Sequence, residues 1–299
     1  MVSTIKYNKC LCCGSAAINK VLDCKDYTVS QELFEVWACT ACTFRFTQNV
    51  PVEADIHRYY QSSDYISHSN TKAGLINKLY HYVRNITLKT KQQLLVKATG
   101  LKQGVLLDIG AGTGAFAYTM QQAGWQVTGL EPDDTARANA QKDYDLQLQD
   151  LSNLHRLENN TFDVITLWHV LEHVHELHQY LEKFYTLLKS DGRLIVAVPN
   201  YTSHDASVYK KYWAAYDVPR HLYHFSPKSI EILLKEKSFA VEVIKPMWFD
   251  SFYVSMLSEK YKNGKNNLPG ALWTGLVSNI KTVLNTKKCS SIIYVIKKK

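Results

Sequence analysis

The chain lacks the sequence features of membrane-spanning, secreted and repeat proteins. It has no apolar run of about eighteen residues, the minimum for a membrane-spanning helix. No apolar stretch follows Met1 to act as a secretion signal. Internal repeats and low-complexity blocks are also missing. We therefore expect a cytoplasmic protein without a membrane span, and the 46% of hydrophobic residues excludes disordered and collagen-like chains.

Charge is only mildly unbalanced. The 35 basic and 27 acidic residues give a formal net charge of +8. This excess permits an anionic partner but is too small to indicate nucleic-acid binding by itself. We favour a solvated basic surface.

Cysteines are concentrated at one end of the chain. Six of the seven lie within the first 42 residues, and Cys289 stands alone. The pairs Cys10-x-x-Cys13 and Cys39-x-x-Cys42 have the spacing of two knuckles that close a tetrahedral thiolate site. An odd number of cysteines in a cytoplasmic chain favours a metal over disulfides. We predict that these two pairs bind a structural Zn²⁺, with Cys12 and Cys24 as extra thiols that leave the ligand set open.

Strands and helices alternate from Gly104 onward. The apolar runs predict strands at Val105–Ile109, Trp125–Leu130, Phe162–Trp168, Arg193–Val198, Phe239–Ile244 and Ser291–Ile296. Alternation of this kind predicts a doubly wound α/β sheet, which binds ligands beyond the carboxyl ends of its strands. With 299 residues available for about two domains, we predict a zinc-ribbon-like domain over 1–50, a helical linker over 51–100, and an α/β domain over 101–299.

A helical insertion is predicted at about 249–286, before the last strand. Its second half carries one apolar helical stripe, from Leu272 to Leu284. We favour core packing for this stripe. A lid, a dimer face and contact with a membrane surface are the alternatives.

The most informative motif is Asp108-Ile109-Gly110-Ala111-Gly112-Thr113-Gly114, which follows a predicted strand and opens a predicted helix. Glycines allow a tight turn and close approach to a ligand. The spacing is GxGxG, unlike the GxGxxG of nicotinamide dehydrogenases. Asp108 favours a cationic ligand, and Glu131, after the next strand, is placed to accept ribose hydroxyls.

Together these segments resemble class I S-adenosylmethionine-dependent methyltransferases over Gly104 to about Asn200. The resemblance implies a Rossmann-like, seven-stranded methyltransferase sheet and S-adenosylmethionine as cofactor. Within it, Glu131 would hold the ribose, Asp150 and Leu151 would meet the adenine, and Trp168 and His169 would form the floor beside the methyl group. Including residues that close over the ligand, the expected cofactor set is Asp108, Gly110, Ala111, Gly112, Gly114, Glu131, Pro132, Asp150, Leu151, Trp168, His169, Tyr60 and Tyr65.

The whole layout resembles a bacterial group of zinc-ribbon methyltransferases with a C-terminal specificity region. The resemblance includes Cys24-Lys25-Asp26-Tyr27-Thr28-Val29-Ser30 and the Tyr- and Ser-rich stretch 59–68. The resemblance does not assign an acceptor, and the ribbon would orient the substrate or a partner.

A first candidate for the chemistry is His169-Val170-Leu171-Glu172-His173-Val174-His175. Its Glu172-His173 pair resembles ubiquinone-type O-methyltransferases and a terminal RNA 2′-O-methyltransferase family. Those families add a glutamate three residues earlier to bind a divalent metal, and this sequence has His169 there. We assign Glu172 and His173 a structural or cofactor-side role and keep His169 as a catalytic candidate.

The second candidate is the segment from Tyr216 to Ser226, dense in polar and aromatic residues. It resembles a loop of zinc-ribbon sugar C-methyltransferases, in which His221 falls on the proposed base and Arg220 replaces a glutamate. We predict His221 as the general base. Arg220 is left open as a partner for a substrate phosphate or carboxylate.

These patterns predict an enzyme that methylates a small-molecule or a sugar-, lipid- or quinone-like acceptor. An RNA ribose methyltransferase is a second hypothesis, prompted by the zinc ribbon and the charge. A non-catalytic cofactor-binding scaffold is a third. The oligomeric state is left open.

Overall fold

The computed structural model describes residues 3–61 and 75–299, and for residues 75–82 it describes the backbone alone. The predicted cofactor residue Tyr65 lies outside the described residues. The N-terminal part contains β1 (Thr4–Ile5), β2 (Ile18–Lys25), β3 (Leu33–Cys39), β4 (Arg45–Thr47) and β5 (Val50–Pro51). β2, β3 and β4 are neighbours in one antiparallel sheet, and β1 pairs with β5.

Two helices lead to the central sheet. α1 (Glu53–Ile56) is one turn long and continues into the 3-10 helix His57–Tyr60. α2 (Leu75–Thr99) packs against two central strands through a face that includes the fully buried Leu95. It ends at Gly100, whose φ of +72° suits a glycine after a helix.

Strands and helices then alternate as the sequence predicts. In chain order they are β6 (Val105–Ile109), α3 (Ala115–Gln122), β7 (Gln126–Leu130), α4 (Asp134–Tyr144), β8 (Phe162–Trp168), α5 (Leu177–Leu187), β9 (Leu188–Pro199), α6 (His204–Tyr209), β10 (Tyr223–His224), α7 (Pro227–Glu236), β11 (Phe239–Pro246), α8 (Asp250–Asn263), α9 (Leu268–Leu284) and β12 (Ser291–Lys298). β8 and β9 are buried on both faces, as parallel strands covered by helices require.

The central sheet has the strand order β11-β12-β9-β8-β6-β7. Five strands run parallel, and β12 runs antiparallel to both of its neighbours. This α/β sheet confirms the predicted class, with one difference in strand number. Where a seventh strand is expected, beside β7, the described chain forms only the isolated bridge between Leu130 and Gln149. The segment stays short because Asp150 immediately caps the 3-10 helix Leu151–Arg156.

The N-terminal strands are joined to the central domain by main-chain pairing. β10 pairs antiparallel with β4, so that Tyr223 faces Phe46 and His224 faces Arg45. The amide of Thr47 donates to the carbonyl of Leu222 at 2.9 Å. The four-stranded sheet therefore includes a strand from each side of the predicted boundaries at 50 and 100, which stay a prediction.

The predicted helical insertion is present as α8 and α9, between β11 and β12. β11 is parallel to the central strands, so α8 begins at the same carboxyl edge where the glycine loop lies. Among the described helices, none combines the length and apolar character that crossing a bilayer requires.

Candidate cofactor and acceptor site

The glycine loop turns tightly from β6 into α3. Gly110, Gly112 and Gly114 have φ values of +64°, +56° and +78°, a region that L side chains rarely adopt. A Cβ at Gly110 would lie 2.5 Å from Cγ2 of Val170. Between the glycines, the amide of Ala111 donates to the carbonyl of Leu130 at 3.0 Å, which holds the loop against the end of β7.

Glu131 is fixed by this loop. The amide of Gly112 donates to Oε2 of Glu131 at 2.7 Å, and the amide of Asp133 donates to Oε1 at 3.0 Å. Burial raises the pKa of Glu131, and the two amide donors oppose the rise. Each carboxylate oxygen can accept another hydrogen bond. The pair of oxygens is thus oriented at the carboxyl edge of the sheet, as a hydroxyl-binding residue must be.

Asp108 is buried at the end of β6. The hydroxyl of Thr166, its register partner on β8, donates to Oδ1 at 2.6 Å. Burial raises the pKa of Asp108 to about 7, despite that hydrogen bond and the nearby Lys91 ammonium. A nearby cation would therefore favour the charged form of this carboxyl.

Lys91 of α2 is a site residue that sequence reasoning missed. Its Nζ lies 4.1 Å from the ring centroid of Trp168 and 5.8 Å from that of Phe116, within the range of cation–π attraction. Burial lowers the pKa of Lys91 to about 8, although Asp108 and Asp250 oppose the shift. No motif contains Lys91. The only sequence signal is its helical phase, one turn before the buried Leu95.

The remaining predicted cofactor residues lie around the same edge. Asp150 accepts from the amide of Ser152 at 2.9 Å, and Arg137 lies 3.2 Å from its other oxygen. Leu151 is the next residue and is half-buried, and Pro132 is exposed beside Glu131. Tyr60 lies farther along the edge, with its hydroxyl oxygen 3.0 Å from Nδ1 of His173. The structure thus places Tyr60 beside the acceptor candidates.

His169 lies between two carboxylates. Its Nδ1 is 3.3 Å from Glu172, and its Nε2 is 3.0 Å from Asp250. Burial lowers the pKa of His169, but the ion pairs with Asp250 and Glu172 outweigh it and raise the pKa to about 10. His169 therefore holds its proton at neutral pH, which suits a fixed positive charge better than a base. The residue also has a φ of +59°, so the loop after β8 is tightly constrained.

Glu172, His173 and His221 form a second cluster. The ligand atoms that they offer all lie within 4.8 Å of one another. Glu172 is fully buried, and neither of its carboxylate oxygens accepts an aligned hydrogen bond within the described residues. Burial raises the pKa of this carboxyl, but His169 and the other histidines outweigh burial and lower it. The result is a buried carboxylate that lacks a well-placed donor.

Both histidines have one ring nitrogen held by a backbone carbonyl. Nδ1 of His221 lies 2.9 Å from the carbonyl of Ala215, and Nδ1 of His173 lies 3.0 Å from the carbonyl of Arg220. A carbonyl can only accept, so each Nδ1 carries a proton, and in a neutral ring the lone pair is on Nε2. Burial and the proximity of His221 lower the pKa of His173 to about 4 and keep it neutral. Two imidazole nitrogens and a carboxylate are typical ligands of a divalent cation and equally suit a proton acceptor.

Arg220 lies next to the cluster of Glu172, His173 and His221, and its guanidinium is paired within the protein. It is fully buried, and its guanidinium donates to Asp217 at 2.6 Å and to Asp26 at 2.9 Å. A further donor reaches the carbonyl of Tyr59 at 2.7 Å. The alternative of a substrate phosphate on Arg220 is therefore wrong, because both carboxylate partners already occupy its fork. The contact with Asp26 also fixes the N-terminal strands against the loop that carries His221.

The two cysteine pairs come together as predicted from their spacing. The sulfur atoms of Cys10, Cys13, Cys39 and Cys42 all lie within 4.8 Å of one another. The Cys10–Cys42 and Cys13–Cys39 separations of 3.5 and 3.6 Å are close to the roughly 3.8 Å between sulfurs in a tetrahedral site with Zn–S bonds of about 2.3 Å. This cluster is compatible with a zinc ribbon.

Neither extra thiol is among the four converging sulfurs. Cys12 points its sulfur at the carbonyl of Ser229, 3.4 Å away, and Cys24 belongs to a different buried group. Thr43, where a knuckle usually has glycine, adopts a φ of +66° that matches the +69° of Gly14. Both knuckle turns are therefore closed in the same way despite the departure in sequence.

Comparisons with known proteins agree with this fold. Residues 80–243, more than half of the chain, match a family model described as a methyltransferase domain. A ubiquinone biosynthesis O-methyltransferase of Actinobacillus pleuropneumoniae serotype 7 (strain AP76) is 35% identical over 136 residues, 42% of this chain and 57% of that protein. The mitochondrial ubiquinone biosynthesis O-methyltransferase of Bos taurus is 26% identical over 163 residues, 49% of this chain and 44% of that protein. The chain thus spans about half the length of these curated relatives.

The same fold is found among solved structures. Magnesium protoporphyrin IX methyltransferase from Synechocystis PCC 6803, solved with bound S-adenosylhomocysteine, aligns over 83% of this chain and 100% of that one, with a TM-score of 0.54 and 16% identity. At this identity the likeness concerns the fold alone. Because the family model covers more than half of the sequence, and the sheet and glycine loop are those of class I enzymes, the chain belongs to the methyltransferase domain family.

Proposed function

We propose that this protein transfers a methyl group from S-adenosylmethionine to a hydroxyl of a small sugar-, lipid- or quinone-like acceptor, with His221 as the base. One observation carries the cofactor half of this proposal. Glu131 is oriented by the amide of Gly112, so that its carboxylate faces the turn where β6 meets α3. The chain matches only about half the length of its curated relatives. We therefore take from them the reaction class and not the substrate.

The residues at the edge fit the chemistry of this cofactor. Glu131 would accept the two ribose hydroxyls, and Asp108 provides negative charge for a cationic amino-acid moiety. Lys91 is the nearby cation that suits the carboxylate of that moiety. When bound, S-adenosylmethionine supplies an activated methyl group on a sulfonium. The task of the chain is then to align an acceptor and remove its proton, and alignment can contribute about 7–11 kcal/mol.

The acceptor half rests on His221. Its Nδ1–H is fixed on the carbonyl of Ala215, so Nε2 is the atom that would take the hydroxyl proton. The carboxylate of Glu172 would stabilise the imidazolium that forms, because it is buried nearby without an aligned donor. The Asp217–Arg220 pair positions this loop against the N-terminal domain.

A divalent cation at Glu172, His173 and His221 is a second arrangement for the same reaction. The buried carboxylate of Glu172 and one ring nitrogen from each histidine fit such an ion. It would act as a Lewis acid that lowers the pKa of an acceptor hydroxyl. His221 cannot bind the ion and take the proton with the same lone pair. Loss of turnover on chelation, restored by Mg²⁺, would therefore favour this arrangement over the base.

The four N-terminal cysteines would bind Zn²⁺ in a structural role. A closed set of four thiolates leaves no open coordination position. We assign this site to the folding of the N-terminal domain, whose strands carry Asp26 to its contact with Arg220.

Titration calorimetry with S-adenosylmethionine and S-adenosylhomocysteine tests the proposal. Glu131→Ala should weaken binding by about tenfold to a hundredfold, the value of hydrogen bonds to a charged group. Glu158→Ala is the control, because Glu158 is exposed just before β8, at the opposite edge of the sheet. If the parent protein binds neither compound, the proposed enzymatic function is wrong. Binding without turnover on phenols, sugars, lipids or RNA would favour the scaffold hypothesis.

A further inference from the structure

The helical hairpin formed by α8 and α9 has its large apolar side chains on the outside. Trp273 is 68% exposed and Leu284 is 83% exposed. The complete exposed set in and just before the hairpin is Trp248, Phe249, Tyr253, Met256, Leu268, Leu272, Trp273, Leu276, Ile280, Val283 and Leu284. On α9 these side chains follow a helical period, so they form one continuous face. A soluble helix normally turns such a face toward the core.

The opposite face of the hairpin is made mostly of small and hydroxyl side chains. α9 buries Ala271, Thr274, Gly275, Ser278 and Thr282, and α8 buries Ser251, Val254, Ser255, Ser258 and Glu259. A Cβ at Gly275 would lie 2.5 Å from the ring of Phe252, which shows how closely the two helices approach.

Several of the buried hydroxyls make hydrogen bonds. Ser278 donates to Asp205 at 2.9 Å, and Ser258 accepts from the amide of Ala214 at 2.9 Å. Close contact through small residues, with large apolar residues outside, is the arrangement of helices in an apolar solvent. Hydrogen bonds therefore hold the hairpin against the rest of the protein. Its apolar face stays exposed and is available to contact an apolar surface.

The exposed charged side chains of the hairpin are lysines. Residues 260–288 contain six lysines and no aspartate or glutamate. All six are exposed, and they are Lys260, Lys262, Lys265, Lys281, Lys287 and Lys288. The acidic residues of α8 face inward: Asp250 contacts His169, and Glu259 accepts from the hydroxyl of Tyr209 at 3.1 Å. An apolar face bordered by lysines complements a negatively charged lipid surface.

The same charge argues against pairing with a second copy. Two such faces would bring the lysines of both copies together, and like charges so placed repel. α9 is 17 residues long and contains Lys281, which is too short and too polar to span a bilayer. A helix of this kind lies in the plane of the interface.

We propose that the exposed face of α8 and α9 docks on an anionic phospholipid surface. Trp273, Leu276 and Leu284 enter the interfacial region, and Lys265 and Lys281 face the headgroups. The hairpin begins at the carboxyl edge of the sheet, where Asp250 contacts His169, so docking places the membrane beside the candidate site. This proposal does not depend on methyl transfer, because it concerns binding to a surface.

Vesicle flotation of the full chain tests the docking. The probes are vesicles of phosphatidylcholine alone and vesicles with about 30% phosphatidylglycerol, at about 0.1 M salt. We expect binding to the anionic vesicles, a blue shift of tryptophan emission, and weaker binding at about 0.5 M salt. No binding to either vesicle overturns the proposal, and equal binding to both overturns its electrostatic part.

Substitutions at exposed residues should leave the fold intact, so a loss of binding can be assigned to the surface itself. The double variant Trp273→Gln/Leu276→Gln should lower the vesicle partition coefficient by about tenfold or more. Leu33→Gln is the matched control, since Leu33 is 70% exposed on the N-terminal sheet and should leave partitioning unchanged. Lys281→Glu should weaken binding to anionic vesicles, whereas Lys142→Glu on α4 should not. A dimer in the absence of lipid that the double variant abolishes would overturn the proposal in favour of a second copy.

Discussion

Nε2 of His169 lies 3.0 Å from Oδ2 of Asp250. These residues are 81 positions apart: His169 follows β8, and Asp250 begins α8. The contact therefore connects the floor of the candidate cofactor site to the helical hairpin. Because His169 also contacts Glu172, one imidazolium joins the strand end, the acceptor cluster and the insertion.

This contact makes a pH-dependent contribution to stability. The folded pKa of His169 is about 10 and the ordinary value is 6.5, so the stabilisation is fully present below about pH 6.5 and is lost as pH rises through about 10. We expect the parent to exceed Asp250→Asn in free energy of unfolding by on the order of 1 kcal/mol near pH 6, after allowance for partial exposure. Urea unfolding at several pH values measures the difference.

The difference in free energy of unfolding between the parent and Asp250→Asn should become smaller as pH rises toward 10. Glu158→Gln, at the opposite edge, should show no such trend. A gap that stays constant across this range would mean that His169 is not charged in the folded protein.

The proposed base can be tested at a single atom. His221→Asn keeps a donor for the carbonyl of Ala215 and removes the Nε2 lone pair. We expect kcat to fall by about a hundredfold to ten-thousandfold, with the Kd for S-adenosylmethionine unchanged. His175→Asn is the matched control, because its ring contacts the carbonyl of Pro51 instead of the cluster. Turnover of the His221 variant within a few-fold of the parent would contradict the base assignment.

Features that are local in sequence could be predicted. β6 and β8 are predominantly apolar, as buried parallel strands are. Gly110 and Glu131 follow successive strands, so the sheet topology alone places them at one edge. The absence of a seventh strand from the described residues could not be predicted, because Leu146 and Leu148 are explained equally well by packing: a Cβ on Gly129 would lie 2.4 Å from the side chain of Leu148.

Features that depend on distant contacts could not be predicted. Lys91 reaches Trp168 from a helix that precedes the sheet, and no spacing relates the two residues. The planar guanidinium suggested Arg220 as a partner for a substrate phosphate or carboxylate, but the guanidinium instead binds Asp26, 194 positions away. The exposure of the apolar stripe on α9 was also unexpected, since the pattern shows amphipathicity without showing which face is covered.

The zinc ligands are tested by a pair of cysteine variants. Cys10→Ser removes one of four converging sulfurs, so bound zinc should fall from about one equivalent to near zero. Cys12→Ser should keep its zinc, because Cys12 points at the carbonyl of Ser229. Metal analysis by mass spectrometry measures both. Equal zinc contents in the two variants would refute the ligand set.

The glycine loop allows a test that separates space from backbone conformation. Gly110→Ala and Gly112→Ala both place an alanine at positive φ, which costs about 1–2 kcal/mol. Only the Gly110 variant also meets Val170, at 2.5 Å, whereas nothing lies within 4 Å of a Cβ at Gly112. We expect Gly110→Ala to lower the free energy of unfolding by about 1–3 kcal/mol more than Gly112→Ala does.

A second substitution identifies the cause of that difference. Val170→Ala removes the methyl group that collides, so Gly110→Ala/Val170→Ala should be more stable than the sum of the single changes predicts. The coupling should reach about 1 kcal/mol in urea unfolding, whereas Val170→Ala combined with Gly112→Ala should show additivity. Additive behaviour at Gly110 as well would mean that the loop moves away from Val170 and that the contact does not set its shape.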